Sequence, residues 1–322
     1  MRDGDSPAGI GVLGAGAMGS LFAGLLALSG HPALLLARPS RHVDAIRDGG
    51  LRVREPGETD RTAHPAIATD PAAVAGVSAL IVLVKAWATG EAVSAVAPWL
   101  APDCLVVTLQ NGLGNREEIL RNCPGHDPGL VVAGVTSEAA LSPEPGAVTH
   151  TGRGWTAIEV GPDVAALRVA ALCGALTAAG LPASPEPAME AAIWRKLAVN
   201  AAINGVTALA GVNNGAILDD PALLEISLRA GREVAAVARL AGVACGDVER
   251  AIIEVARATS ANRASLHRDL DTGRRPERDA IYGAVARAAR ALHAEVPVCE
   301  TLGALVGARE RAAFGTSGEA NR

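Results

Sequence analysis

Two rhythms of hydrophobic and polar positions divide the chain. In the first half, short unbroken apolar runs recur: GIGVL at 9–13, ALLLA at 33–37, ALIVLV at 79–84, CLVVTL at 104–109 and GLVVAGV at 129–135. Runs of this length without alternation predict strands buried on both faces. Between them, residues near 17–29, 40–48, 89–99 and 115–121 carry helical spacing. Strand alternating with helix predicts a parallel sheet covered by helices, an α/β domain. Residues 51–68 are polar and proline-bearing and predict a small strand-loop excursion. VTHTG and WTAIEV, within 142–160, predict antiparallel edge strands, and a helix near 162–179 closes the domain. The Pro-rich LPASPEPAME at 181–190 marks a boundary, giving domains 1–187 and 188–322. Beyond it the period is helical throughout, over 188–209, 220–241, 246–260, 277–294 and 298–312, so the second domain is predicted all-helical. The tail GTSGEANR is expected to fray.

The turn after the first strand carries the first chemistry. GIGVLGAGAMGS sets Gly14, Gly16 and Gly19 as G-x-G-x-x-G between a strand and an apolar helix, the context in which this motif binds a dinucleotide. The segment Gly14, Ala15, Gly16, Ala17, Met18 and Gly19 is therefore the expected pyrophosphate loop of a Rossmann-type domain. An NAD site commonly has an acid at the end of the second strand, to accept from the ribose 2′-hydroxyl. Here that strand ends LLLARPSRH, with Arg38 in the acid's place and Ser40 and Arg41 beside it. A guanidinium fork suits a 2′-phosphate, so NADPH is the expected cofactor. Lys85 and Asn111 follow two further strands, at positions where cofactor or substrate can be met. Lys85 also reads as a surface lysine, and Asn111-Gly112 as an ordinary turn. The stretch VTSEAAL offers small Ala139 and Ala140 for close backbone approach.

Composition narrows the function. The chain has 322 residues, 49% of them hydrophobic, and a net charge of −5, which fits about two globular domains. With no basic run, nucleic acid is not an expected partner. The most apolar early stretch is broken by Gly30, His31 and Pro32, and MRDGDSPAG shows no signal pattern, so no membrane partner is expected either. Five cysteines without CxxC predict a reduced, cytoplasmic setting. Scattered histidines argue against a zinc site, and the lack of G-x-S-x-G against the usual hydrolase elbow. Among 29 basic residues only Lys85 and Lys196 are lysine. Unlike arginine, lysine can give up its proton, which singles out these two positions.

WRKLAVNAAINGVTAL, residues 194–209, reads as a buried helix interrupted every fourth residue by Lys196, Asn200 and Asn204. That interval aligns the three as a polar ridge roughly 12 Å long. Buried polar groups need partners, and a substrate would supply them. Later, SLHRDLDTGRRPERDAIYG contributes Ser265 and Glu277. By spacing alone Glu277 is a first-turn helix acid.

Together GxGxMG, LVKAW, QNGLG, WRKLAVNAAIN and PERDAIYG resemble the ketopantoate reductase family, over roughly residues 9–310. The resemblance implies NADPH-dependent reduction of 2-dehydropantoate to pantoate, a step toward coenzyme A. It makes Lys196 the general acid, with Glu277 at the reacting centre. Asn200, Asn204, Asn214 and Ser265 become substrate contacts, and Asn111 touches both cofactor and substrate. Arg38, Lys85 and Ala140 become cofactor contacts. The chain departs from the family pattern at Pro276, Tyr282 and Gly205, where Thr, Asn and Pro are common. These positions bear on which small 2-keto acid is read. The alternatives are a paralogue reducing another branched 2-keto acid and a non-catalytic NADPH sensor. The resemblance leaves room for a homodimer.

Overall fold

The unbroken apolar runs form the centre of one sheet. The structure, a computed structural model, describes residues 9–314; the stretch before Gly9 and the tail GTSGEANR lie outside the described residues. Two compact units emerge. The first holds the chain up to Gln110 and Asn115–Met189; the second holds Asn111–Gly114 and the chain from Glu190 onward.

The first unit begins β1 (Gly9–Leu13), α1 (Ala17–Leu28), β2 (Ala33–Leu36), α2 (Arg41–Gly49), β3 (Leu51–Arg54), β4 (Arg61–Ala63), β5 (Ala66–Ala68) and β6 (Val77–Val82). It continues through α3 (Thr89–Val96), β7 (Leu105–Thr108), α4 (Asn115–Asn122), β8 (Val131–Thr136), β9 (Ala139–Leu141), β10 (Ala147–Gly152), β11 (Thr156–Glu159), α5 (Asp163–Ala178) and β12 (Ala183–Glu186). Eight strands form the main sheet in the order β12-β11-β8-β7-β6-β1-β2-β5. Its strands run parallel except where β11 meets β8 antiparallel. Val12, Leu35, Ile81 and Val107 are wholly buried in it, as apolar strands covered on both faces must be. Side chains of α1 and α5 cover one face, and those of α3 and α4 the other. From β1 the order runs outward to β2 on one side and β6 on the other, which is the switch point of a Rossmann sheet.

In the first unit, three local outcomes differ from the expected pattern. Residues 51–68 hold three strands, of which β5 extends the main sheet beside β2. A second sheet, β4-β3-β10-β9, gathers the others, with β10 parallel to β3 and antiparallel to β9. Of the two expected antiparallel edge strands only β11 meets the main sheet; β10 belongs to this smaller one. The Pro-rich stretch also contains β12, paired parallel with β11 at the sheet edge, where Pro185 is tolerated.

The second unit is helical: α6 (Met189–Ala210), α7 (Ala216–Asp219), α8 (Pro221–Leu240), α9 (Val248–Ala258), α10 (Ser265–Asp271), α11 (Ala284–Ala291) and α12 (Pro297–Phe314). Asp220 caps α8 by accepting from the Ala222 and Leu223 amides, with Pro221 at the first helical position. Leu197, Ile203, Val234, Ile252 and Val285 meet in its core. The continuous helix expected over 277–294 instead begins with a π-helical turn, Asp279–Gly283, before α11. The expected class, a Rossmann-type parallel sheet followed by a helical unit, is the one observed.

Candidate active site

The glycine loop joins β1 to α1 as the motif requires. Gly14 has φ +113°, a conformation that a side chain would strain. A Cβ at Gly19 would stand 1.8 Å from the Gly14 carbonyl oxygen, so the first turn of α1 can close on the loop only with glycine there. At Gly16 a Cβ would meet nothing within 4 Å. The loop's outer side is thus open backbone at a helix N-terminus, the arrangement that receives a phosphate. Ala15, Ala17 and Met18 are half-buried against the core beneath.

Arg38 is exposed just past β2, and no described residue pairs with it. Ser40 caps α2 by accepting from the Val43 amide (3.2 Å), and Arg41 opens that helix. A residue that sequence reasoning missed ties α2 to the glycine loop. The Gly146 amide donates to His42 Nδ1 (3.1 Å), so His42 Nε2 carries the proton and donates to Ser20 Oγ on α1 (2.9 Å). Only the non-local pairing makes this visible; His42 has no motif around it.

Lys85 is half-buried three residues past β6, at the start of a single 3₁₀ turn over Ala86–Ala88. Past β7, Gln110 is buried and committed locally: its Nε2 donates to the Val84 carbonyl (2.7 Å) and to Thr89 Oγ1 (2.8 Å). Ala140 lies in β9, buried and paired with His150 of β10, rather than in an open strand end.

In the second unit, α6 carries the ridge. Lys196 and Asn200 are half-buried and Asn204 is 6% exposed, flanked by buried Leu197, Val199 and Ile203. The ridge is therefore not a fully solvated face, with Asn204 withdrawn from solvent and Lys196 and Asn200 partly so. None of the three side chains hydrogen-bonds another described residue. Burial lowers the Lys196 pKa to about 8, while the Glu277 carboxylate pulls it upward. Glu277 is 8% exposed, immediately before the helix that opens into the π turn, and its Oε2 accepts from Asn111 Nδ2 (3.3 Å). The next segment of the Asn111 loop is held too, since the Leu113 amide donates to the Ala280 carbonyl (3.3 Å). Asn111, Glu277 and Lys196 thus interact within one unit although far apart in sequence.

Asn214 and Ser265 are more weakly tied to this group. Asn214 is buried, its Nδ2 donating to Thr259 Oγ1 (2.9 Å) at the end of α9, while its Oδ1 has no partner among the described residues. Ser265 opens α10, half-buried, and no hydrogen bond joins it to the ridge. No group of metal-ligating side chains occurs among the described residues.

Comparison with known proteins places the chain as a whole in a family. The family model described as ketopantoate reductase PanE/ApbA matches residues 10–163, and the one for the ketopantoate reductase PanE/ApbA C terminal matches residues 188–310. The chain is 37% identical to the 2-dehydropantoate 2-reductase of Halobacterium salinarum over 305 residues, covering 93% of this chain and 98% of that protein. With the 2-dehydropantoate 2-reductase of Pyrococcus horikoshii it shares 33% identity, over 93% and 96% of the two chains. Among solved structures, the PanE/ApbA family ketopantoate reductase from Ralstonia eutropha superposes with a TM-score of 0.85 at 33% identity, covering 95% and 99%. D-mandelate dehydrogenase in its ternary structure with NADH and anilino(oxo)acetate gives a TM-score of 0.88 at 25% identity, covering 94% and 98%.

Proposed function

The chain belongs to the ketopantoate reductase family, and from that premise we propose that it reduces 2-dehydropantoate to pantoate with NADPH, supplying pantothenate and coenzyme A synthesis. The observation that carries the reading is the ridge on α6: an ammonium and two amides flanked by buried apolar residues, with no hydrogen-bond partner among the described residues and with Glu277 near the ammonium. Such groups are costly unless a ligand engages them.

NADPH, when bound, supplies the hydride that the ketone carbon receives. The open backbone at Gly16 and the N-terminus of α1 suit its pyrophosphate, and Arg38, with Ser40 and Arg41, suits its 2′-phosphate. Gly14, Ala15, Ala17, Met18 and Gly19 shape the rest of the loop, and Lys85, Asn111, Ala140 and Glu277 complete the proposed cofactor contacts. Lys196 donates from Nζ to the keto oxygen, stabilises the negative charge that grows there, and gives up its proton to form the alcohol. A pKa near 8 lets the ammonium release that proton and regain one from water. Asn200, Asn204, Asn214 and Ser265, with Asn111, hold the carboxylate and hydroxyl oxygens so that the ketone presents one face. Glu277 orients Asn111 and sustains the charge on Lys196. The proposed partner is a small 2-keto acid, with no nucleic acid and no membrane. No helix among the described residues is long and apolar enough to cross a membrane. Five free, buried cysteines support a reducing, cytoplasmic setting.

The likeness to D-mandelate dehydrogenase favours a second reading, in which a bulkier 2-keto acid is the substrate. A panel of 2-keto acids with NADPH separates the two. The first reading expects the highest kcat/KM for 2-dehydropantoate; a preference for phenylglyoxylate transfers the assignment to the second.

A further inference from the structure

A tyrosine hydroxyl stands in the backbone of the ridge helix. The Gly205 amide donates to Tyr282 Oη (2.9 Å), and that hydroxyl donates to the Ala201 carbonyl (2.8 Å). Residues 201 and 205 are partners in a regular α-helical ladder. One phenol therefore serves both groups of a single rung, and a side chain inserted into the ladder is a cause of local bending. The insertion requires glycine: a Cβ at Gly205 would stand 2.1 Å from Tyr282 Oη. The next turn carries a related feature, since Thr207 Oγ1 donates back to the Ile203 carbonyl (2.8 Å).

The position of this rung matters. Lys196 and Asn200 precede it, and Asn204 lies within it, beside the amide that the phenol engages. Tyr282 itself is held firmly. It is 2% exposed and sits in the π turn Asp279–Gly283, whose Ala280 carbonyl accepts from the Leu113 amide. Burial raises the phenol's pKa, so the hydroxyl keeps the proton it donates to Ala201. π turns are frequent at functional sites, and this one carries the phenol that reaches α6.

We infer that Tyr282 is a positioning residue: by occupying the Ala201–Gly205 rung its hydroxyl sets where Asn204 stands relative to Lys196 and Asn200, and so tunes recognition of the substrate's hydroxyl and carboxylate oxygens. Tyr282 and Gly205, the two positions that the sequence resemblance sets apart, are joined by this geometry into one device. The kinetic consequence rests on the keto acid reading; the geometric consequence does not.

The test is Tyr282→Phe in the full chain, which keeps the ring and removes the hydroxyl. KM for 2-dehydropantoate should rise about tenfold, as expected for one misplaced hydrogen-bonding group. The dissociation constant of NADPH should stay within about twofold, since the phenol acts on the substrate ridge and not on the glycine loop. Gly205→Ala, whose Cβ displaces the hydroxyl, should raise the same KM and covers the case in which the first variant folds poorly. An unchanged KM in both variants, or equal loss of substrate and NADPH binding, overturns the inference. A second arm needs no turnover. In crystal structures superposed on residues 196–200, Asn204 should shift between wild type and Tyr282→Phe, and an unmoved Asn204 overturns the inference. If the wild type turns over no 2-dehydropantoate, the proposed function fails while this second arm still decides the role of Tyr282.

Discussion

Lys196 is a cation placed where cations are disfavoured, and its titration follows from that. Desolvation lowers its pKa to about 8, and Glu277 limits the fall. In the proposed mechanism the keto acid is met by the protonated amine. Turnover in the direction of ketone reduction should therefore fall as pH rises through about 8. Lys196→Arg should slow the reaction and remove that alkaline limb, because arginine does not deprotonate. A limb that persists in the arginine variant would assign it to another group. At the other ligand, Arg38→Asp should raise the KM for NADPH by about tenfold or more while leaving that for NADH nearly unchanged. Equal effects on both cofactors would remove the 2′-phosphate assignment. Both candidates come from the sequence alone. Lys196 stood out as one of two lysines on a row of amides, and Arg38 as a guanidinium where an acid is usual.

At the scale of elements, legibility followed the strength of the local pattern. The central strands were plain because burial on both faces leaves unbroken apolar runs, as at Ile81 in β6 and Val107 in β7. The small sheet was not, because β3 and β10 pair across about a hundred residues of chain, and each strand alone is short and half polar. β12 was hidden by Pro185, which only an edge position accommodates. The π turn was invisible because its sequence, DAIYG, continues the helical pattern of the residues after it. Tyr282 could be flagged as a departure, yet nothing in the sequence says that its hydroxyl reaches the backbone of α6. The small sheet also holds a buried charge cluster that no motif announces. His150 Nε2 meets Glu138 Oε2 at 2.6 Å, and its Nδ1 lies 3.7 Å from Glu55, which is itself paired with Arg61 and Arg153. Desolvation opposes the imidazolium, but the two carboxylates outweigh it and raise the His150 pKa above its ordinary 6.5. A raised folded pKa contributes stability that is fully present below 6.5 and lost as pH rises through the folded value. Urea unfolding of His150→Gln should thus show a larger loss in acid than in alkali. A loss independent of pH would mean that the imidazole acts by packing alone.

At the scale of the whole molecule, the candidate residues divide between the two units. The glycine loop and the cation near its strand end belong to the first unit, and the ridge with Glu277 and Asn111 to the second. Asn111–Gly114 is the exception that sequence reading missed: chain from between two elements of the first unit joins the second, held by Glu277 and Ala280. The central claim is that the α6 ridge performs keto acid reduction through Lys196. Its most direct test is the rate at which wild type and Lys196→Ala consume NADPH with 2-dehydropantoate, measured beside NADPH binding. The account predicts efficient turnover by the wild type, a fall in kcat of about 10²–10⁴ in the variant, and NADPH binding unchanged. Near-normal turnover by Lys196→Ala would contradict it.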